Sequence, residues 1–216
     1  MIIDKEKLIF IHIPKNAGTS IRRYFGNFST YHETINDFKD VFPNEYNSYK
    51  KFTIVRNPYD RMVSWYFYIQ KQAKEWVRFI KGGNPLSVSG NNGDGILSDI
   101  EKEMYNEIFT DSFIKWVLNP FEYSETRRQL PETSNYDIRL KNNQYTWIDD
   151  TVKVLKYENL NEELSNFLNR KIELPHLNST KRKNYLKYYN KNALDIVYKR
   201  YKEDFKRFNY KKIEKI

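Results

Sequence analysis

Short apolar runs recur along the chain, and each is followed by a polar turn and then by apolar residues at helical spacing. Such nearly continuous runs are typical of buried strands in a parallel sheet. The most continuous run covers residues 7–13, residues 51–56 repeat the pattern, and residues 151–157 are a third strand candidate. The helical patterns after them cover 19–25, 58–77 and 159–168. Three strand-to-helix units predict an α/β fold with a central, mainly parallel sheet flanked by helices.

Several of these helical patterns carry boundary signals. Thr19 and Ser20 predict the start of the first helix, because a hydroxyl at the N-cap accepts a bond from a backbone N–H group. Pro58 suits the first position of the second helix, where a backbone N–H group has no partner in any case. Apolar residues at helical spacing over 190–208 predict one closing helix that docks on the sheet.

Residues of about 70–140 form an insertion between the second and third units. Five of the seven glycines fall within 82–95, which favours a mobile loop. A helix is predicted over about 98–118. Because no separate linker is apparent and 216 residues suit one core, the sequence predicts a single domain over 1–216.

Composition narrows the class of protein. The chain has no cysteine, which excludes a disulfide framework, a zinc–thiolate site and a cysteine nucleophile. With only three histidines, a metal site is not expected. No apolar stretch approaches the roughly 18 residues of a membrane span, so the sequence predicts a soluble, unexported, cytoplasmic protein.

The formal charge, 37 − 28 = +9, favours an anionic ligand such as a nucleotide, a nucleic acid or an acidic glycan. Basic pairs are concentrated after Lys181, and most are expected on exposed helix faces.

The segment over residues 12–20, which joins the first strand to the first helix, reads His-Ile-Pro-Lys-Asn-Ala-Gly-Thr-Ser. Backbone N–H groups at the helix start, two hydroxyls and the Lys15 ammonium would converge there, and such groups bind anions. A Walker A loop has the order GxxxxGK[ST], whereas Lys15 precedes Gly18 and the first glycine is missing. The segment therefore predicts an anion site but not a nucleoside triphosphatase loop.

Arg56 and Ser64 supply a second candidate anion site. Arg56 ends the second strand and Ser64 lies in the second turn of the next helix, so both side chains could reach one phosphate. The alternatives are an ion pair between Arg56 and Asp60 and a buried hydroxyl at Ser64. Two anion sites at adjacent strand ends predict a ligand that is phosphorylated at both ends.

These segments resemble motifs of the carbohydrate sulfotransferases related to heparan sulfate 2-O-sulfotransferase, which use 3′-phosphoadenosine 5′-phosphosulfate (PAPS). The similar segments are 14–20, at the family's 5′-phosphosulfate loop, 55–58 with Arg61 and Ser64, at its 3′-phosphate motif, and 156–160 and 201–210. The resemblance implies a P-loop-like three-layer fold. It leaves out about 70–140, where specificity for the acceptor would reside.

The resemblance also implies a donor-binding set and a general base. The set is Lys15, Asn16, Ala17, Gly18, Thr19 and Ser20 at the 5′-phosphosulfate, and Arg56 and Ser64 at the 3′-phosphate. Lys15 would stabilise the leaving phosphate as the S–O bond breaks, while the others supply N–H groups, hydroxyls and positive charge. His32 falls where the family has its base, and a neutral imidazole suits proton removal near pH 7.

Four further positions have weaker assignments. Thr180 and Lys183 lie in a segment that resembles a loop closing over the nucleotide, so they are candidate 3′-phosphate contacts. An exposed basic turn explains the same residues equally well. Gln144 is expected to make an ordinary polar contact, and His12 to be a structural histidine with satisfied hydrogen bonds.

The leading interpretation is a PAPS-dependent O-sulfotransferase that acts on a carbohydrate hydroxyl by in-line transfer, without a metal and without a nucleic-acid partner. Golgi relatives carry an anchor and cysteines, so their absence favours a bacterial or viral version. Two alternatives stay open: an ATP-dependent small-molecule kinase, and a non-catalytic module that binds nucleic acid or an anionic glycan.

Overall fold

The computed structural model describes residues 1–26, 32–80, 112–118, 142–175 and 183–215. The strands are β1 (Ile2–Ile3), β2 (Leu8–Ile11), β3 (Lys50–Val55) and β4 (Lys153–Lys156). The helices in these ranges are α1 (Gly18–Phe25), α2 (Ile35–Val41), α3 (Pro43–Ser48), α4 (Pro58–Ile80), α5 (Phe113–Leu118), α6 (Leu160–Leu168), α7 (Lys191–Arg200) and α8 (Lys202–Arg207). None of them has both the length and the apolar character needed to cross a membrane. The predicted loop over 82–95 and most of the predicted helix over 98–118 lie outside the described residues.

The four strands form one sheet in the order β1-β2-β3-β4. β2, β3 and β4 run parallel, with Phe10 opposite Phe52 and Thr53 opposite Val154. β1 is antiparallel to β2, and it escaped prediction because it is only two residues long. The predicted mainly parallel sheet is confirmed. Because parallel strands end at the same edge, the chain leaves β2, β3 and β4 side by side.

Helices cover both faces of this sheet. Alternate strand residues face opposite sides, so Phe52 lies on one face and Val55 on the other. Phe52 packs in a buried cluster with Ile21 of α1 and Leu164 of α6, whereas Val55 packs with Phe38 of α2. The predicted arrangement of a central sheet flanked by helices is therefore confirmed.

α4 supports a separate aromatic cluster away from the sheet. Trp65 of α4 meets Trp116 of α5 edge to face, with ring centroids 5.3 Å apart. Leu194 of α7 is buried in the same cluster. The prediction that the closing helix docks on the sheet is therefore wrong for α7, because the aromatic face of α4 supplies the surface against which it packs.

The closing helix is also interrupted. Tyr201 has backbone angles of φ −111° and ψ 26°, outside the helical range, and it divides the predicted helix over 190–208 into α7 and α8. After this break Phe208 packs in the same cluster as the sheet residue Val55, and the carboxylate of Asp204 in α8 is buried.

α1 begins differently from the prediction of a Ser/Thr cap. Its N-cap is Ala17, which has left-handed backbone angles (φ 61°, ψ 15°) and makes no side-chain capping bond. Thr19 and Ser20 consequently lie inside the first turn. The left-handed backbone turns the chain into the helix, so the first N–H groups of α1 are left without a hydroxyl cap.

Candidate functional site

The loop between β2 and α1 brings backbone donors to the carboxyl edge of the sheet. Lys15 and Ala17 are left-handed (φ 70° and 61°), whereas Asn16 between them is not. Such alternation turns successive N–H groups toward one side and makes an anion-binding concavity. The N–H groups of Gly18 and Thr19 lie in the first turn of α1, where no intrahelical acceptor exists. The predicted anion site thus has its backbone N–H groups at the positive end of the α1 dipole.

Asn16 and Ser20 direct their own backbone N–H groups elsewhere. The N–H of Asn16 donates to the carbonyl oxygen of Ile13 (3.3 Å), and the N–H of Ser20 donates to that of Ala17 (2.9 Å). Both bonds shape the loop. The assignment of Asn16 and Ser20 to the donor site stays a prediction, which now depends on the Ser20 hydroxyl and on the form that Asn16 gives the loop.

The Lys15 side chain is held over an aromatic ring. Its Nζ atom lies 3.8 Å from the centroid of the Tyr68 ring in α4, a cation–π contact. This contact ties the loop after β2 to the third turn of α4.

Arg56 follows β3 and is 5 % exposed. Its Nε and Nη2 atoms donate to the Asp60 carboxylate (2.8 and 2.7 Å), so the ion pair considered as an alternative is present. Its Nη1 atom donates to the carbonyl oxygen of Lys15 (3.0 Å), and the guanidinium lies 4.0 Å from the centroid of the Tyr157 ring. These three bonds leave two of the five guanidinium N–H donors for a further acceptor such as a phosphate oxygen.

The other predicted 3′-phosphate contacts are Ser64, Lys183 and Thr180. Ser64 is half-buried on α4, in the turn after Arg61. Lys183 is exposed, and its backbone N–H donates to the hydroxyl of Tyr188 (3.1 Å). Thr180 lies outside the described residues.

Gln144 makes much more than the ordinary polar contact expected of it. It is fully buried in the 3₁₀ turn Gln144–Trp147 before β4. Its Oε1 atom accepts from Asn16 Nδ2 (2.6 Å) and from the backbone N–H of Arg56 (2.9 Å). Gln144 therefore joins the loop after β2 to the end of β3. Because its partners are distant along the chain, the only signals in the sequence were its residue type and its place before the third strand, where some sulfotransferases that the sequence resembles also have a glutamine.

Arg61 is a second buried connector. Its Nε donates to the carbonyl oxygen of Pro14 (3.2 Å) and its Nη1 to that of Asn142 (3.3 Å), so it ties α4 to the loop after β2. Burial lowers the pKa of the Arg61 guanidinium, while the nearby Asp204 carboxylate opposes that shift. Within the described ranges, no three His, Asp or Glu side chains lie close enough together to hold a metal ion.

His32 lies beside this loop and is 8 % exposed. Its Nδ1 atom is 3.0 Å from the carbonyl oxygen of His12. Because a carbonyl only accepts, Nδ1 carries the proton of the neutral ring and the basic lone pair lies on Nε2. His32 thus has the tautomer that a base acting through Nε2 requires.

His12 connects His32 to the start of α1. The two imidazole rings have centroids 4.2 Å apart, and a Cβ atom at Gly18 would overlap the His12 ring. Burial, followed by the neighbouring His32, lowers the pKa of His12 well below its usual value, so the ring is neutral at pH 7. Its Nδ1 atom has no hydrogen-bond partner among the described residues, so the expectation of a satisfied histidine is wrong.

We expect Gly18→Ala to destabilise the protein, because the new methyl group would collide with the His12 ring. Overpacking of this kind costs about 1–3 kcal/mol, which corresponds to a fall of ~2–12 °C in Tm for a chain of this size. Thermal unfolding measures the change. Thr19→Ala, exposed in the same turn, is the control and should leave Tm nearly unchanged, and adding His12→Ala to Gly18→Ala should relieve part of the loss. A Gly18→Ala protein as stable as the wild type would contradict the tight contact.

A comparison with models of protein families finds a match to the family described as the sulfotransferase family, over residues 1–211. No curated protein and no solved structure matches the chain. The matched range includes both segments that are predicted to bind anions, the 3₁₀ turn of Gln144 and the closing helices.

Proposed function

The chain belongs to the sulfotransferase family, an assignment that makes it an enzyme of sulfuryl transfer, and we propose that its donor is PAPS and its acceptor a carbohydrate hydroxyl. The donor and the acceptor class follow from the resemblance of residues 14–20 and 55–64 to motifs of carbohydrate sulfotransferases. The proposal extends to the roles of Lys15, His32 and Arg56.

One observation carries the choice of donor. The two segments suited to anions leave adjacent parallel strands, and Arg56 Nη1 binds the carbonyl oxygen of Lys15 at their junction. A ligand bound there would place one anionic group on the start of α1 and the second beside Arg56 and Ser64. PAPS has this form, because its ribose carries a phosphosulfate at the 5′ position and a phosphate at the 3′ position.

The first anionic group would be held by backbone N–H groups of Gly18 and Thr19 and by the Lys15 ammonium. The N–H groups are positioned by the left-handed loop and the ammonium group by the Tyr68 ring, so both are in place before PAPS binds. Such preorganised positive charge stabilises a phosphate that becomes more negative as it leaves. PAPS supplies the activated sulfuryl group. The bond between its sulfur and the bridging phosphate oxygen breaks as the hydroxyl oxygen of the acceptor bonds to that sulfur.

His32 would take the proton of the acceptor hydroxyl on Nε2. The bond from Nδ1 to the His12 carbonyl keeps the ring in this tautomer and orients it. Positioning of the hydroxyl and electrostatic stabilisation of the transition state would supply the rest of the rate enhancement, as they do in phosphoryl transfer. This scheme requires no metal.

Thermal unfolding with 3′-phosphoadenosine 5′-phosphate (PAP), the desulfated product, tests the donor site. At a concentration a hundredfold above its Kd, a ligand stabilises the fold by about 2.7 kcal/mol. For a chain of this size that raises Tm by ~5–10 °C. We expect this rise with PAP and little with AMP, because AMP lacks the 3′-phosphate.

Arg56→Ala and Ser64→Ala test the 3′-phosphate end of the ligand. Each variant is compared with and without PAP, so that any loss of intrinsic stability, such as loss of the Arg56–Asp60 ion pair, cancels. We expect Arg56→Ala to abolish the shift and Ser64→Ala to reduce it. A large shift with Mg²⁺-ATP and none with PAP would reject the proposal in favour of a kinase, and no shift with either would favour a non-catalytic module.

A further inference from the structure

We propose that Gln144 is a positioning residue that fixes the two anion-binding segments relative to each other, so that both ends of one PAPS molecule are held at once. This inference rests on the proposed function. It concerns a side chain that is fully buried and therefore acts on the ligand only through its neighbours.

The Gln144 carboxamide binds both segments. Besides accepting from Asn16 Nδ2 and Arg56 N, it donates from Nε2 to the carbonyl oxygen of Arg56 (2.9 Å). Both backbone groups of Arg56 are thus paired with one side chain, as a neighbouring strand would pair them. Water cannot take over these bonds at a buried site, so losing one leaves a polar group unpaired. The end of β3 and the loop after β2 consequently move together.

Asp204 of α8 sets the orientation of this carboxamide. Its carboxylate accepts from the backbone N–H groups of Gln144 (2.8 Å) and Tyr145 (3.1 Å) and from Gln144 Nε2 (3.3 Å). Because a carboxylate only accepts, the amide nitrogen must face Asp204 and Arg56 O, and the amide oxygen must face Asn16. The flipped carboxamide would set its single oxygen against the oxygens of Asp204 and Arg56, and its NH₂ group against the N–H donors of Asn16 and Arg56.

Asn16 connects the Gln144 carboxamide to the loop after β2. The same Nδ2 atom that donates to Gln144 also donates to the carbonyl oxygen of Ile54 in β3 (2.7 Å). Asn16 lies between the two left-handed residues Lys15 and Ala17. A shift of its side chain would therefore move the N–H groups that face the first phosphate relative to the Arg56 guanidinium that faces the second.

A ligand with two phosphates measures the separation of the two segments directly. When the distance between the two segments matches the distance between the two phosphates, the second contact is intramolecular and adds strongly to affinity. A ligand with a single phosphate needs only one of the two segments. Gln144 should therefore matter for PAP and much less for 5′-AMP or 3′-AMP.

The experiment is calorimetric titration of PAP, 5′-AMP and 3′-AMP into the wild type, Gln144→Glu and Gln144→Met. Gln144→Glu keeps the size and the acceptor oxygen but removes the Nε2 donor and places a carboxylate beside Asp204. Gln144→Met removes every hydrogen bond of the side chain and keeps the backbone bond to Asp204. We expect the preference for PAP over 5′-AMP to fall at least about tenfold in both variants, because a second, intramolecular contact can raise affinity by ~10²-fold or more and is lost when the geometry forbids both contacts at once. The affinity for 5′-AMP should change little.

Two further variants separate positioning from general loss of stability. Leu164→Ala removes only apolar contacts, in the core on the opposite face of the sheet from Val55, and none of the hydrogen bonds of this network; it should lower Tm but keep the PAP preference. Among the described residues Asp204 hydrogen-bonds to Gln144 and Tyr145 but not to Asn16 or Arg56, so Asp204→Asn disturbs the Gln144 carboxamide indirectly and should lower the preference by a smaller factor. If the Gln144 variants do not fold, Asp204→Asn decides the question.

A wild type that binds PAP no better than 5′-AMP would reject both the proposed donor and this inference. A wild type that prefers PAP, with folded Gln144 and Asp204 variants that keep the same preference, would overturn the inference alone. A loss of preference equal to that of Leu164→Ala would also overturn it, because the effect would then follow stability.

Discussion

Replacing His32 with alanine is expected to lower the turnover number by about 10²- to 10⁴-fold, the usual contribution of a positioned general base. The effect should appear in kcat, with the affinity for PAP unchanged, because His32 is not among the residues proposed to bind PAPS. The measurement is the rate of PAP formation from PAPS, with an acceptor that supports wild-type turnover, beside a PAP titration of both proteins.

His32→Asn is the matched variant for this prediction. The asparagine amide can still donate to the His12 carbonyl in place of Nδ1–H, but it has no basic nitrogen. If His32 removes the acceptor proton, His32→Asn should be about as slow as His32→Ala. A His32→Asn enzyme with the wild-type rate would show that the residue only orients its surroundings, and the base would have to be sought elsewhere.

Lys15→Ala is expected to lower turnover by about 10²- to 10³-fold, the effect of removing one donor to a developing anion. The left-handed backbone at this position costs alanine as much as lysine, so the loop should keep its form. The loss should therefore come from the ammonium group. Turnover and the thermal unfolding of the variant without ligand measure the two effects separately.

Lys50→Ala provides the control for Lys15→Ala. Lys50 is exposed at the start of β3, so it carries the same charge at the opposite edge of the sheet. Its removal should leave turnover unchanged. Equal losses of turnover in both variants would assign the effect to overall charge, which steers the anionic PAPS toward the protein. A Lys15→Ala enzyme with the wild-type turnover would exclude Lys15 from stabilising the leaving phosphate.

The elements that the sequence predicted well are those with a local signal. The cores of β2, β3 and β4 are apolar runs bounded by polar turns, and their parallel order follows from the helices between them. Elements with shorter signals were missed. α2 has a complete capping box from Thr34 to Asp37, and α3 has Pro43 in its first turn, yet neither helix was predicted. Each is at most seven residues long and gives little periodicity.

Anion binding by the two segments after β2 and β3 stays a prediction, but their place at the carboxyl edge of the sheet was predictable, because each lies within a few residues of a strand end. Gln144 was not, because its bonds to Asn16 and Arg56 join residues 128 and 88 positions apart. The break at Tyr201 has the same origin. Nothing local ends the helix there, and the burial of Asp204 beside Gln144 depends on packing between distant segments. Networks of this kind become visible only once the fold has placed their members.

A crystal structure of the protein with PAP bound tests the central claim most directly. We predict the 5′-phosphate within hydrogen-bond distance of the N–H groups of Gly18 and Thr19 and of Lys15 Nζ, with the 3′-phosphate contacting Arg56 and Ser64. Phosphates bound to other residues, or PAP seated away from the carboxyl edge of the sheet, would contradict the assignment of these two segments to the donor.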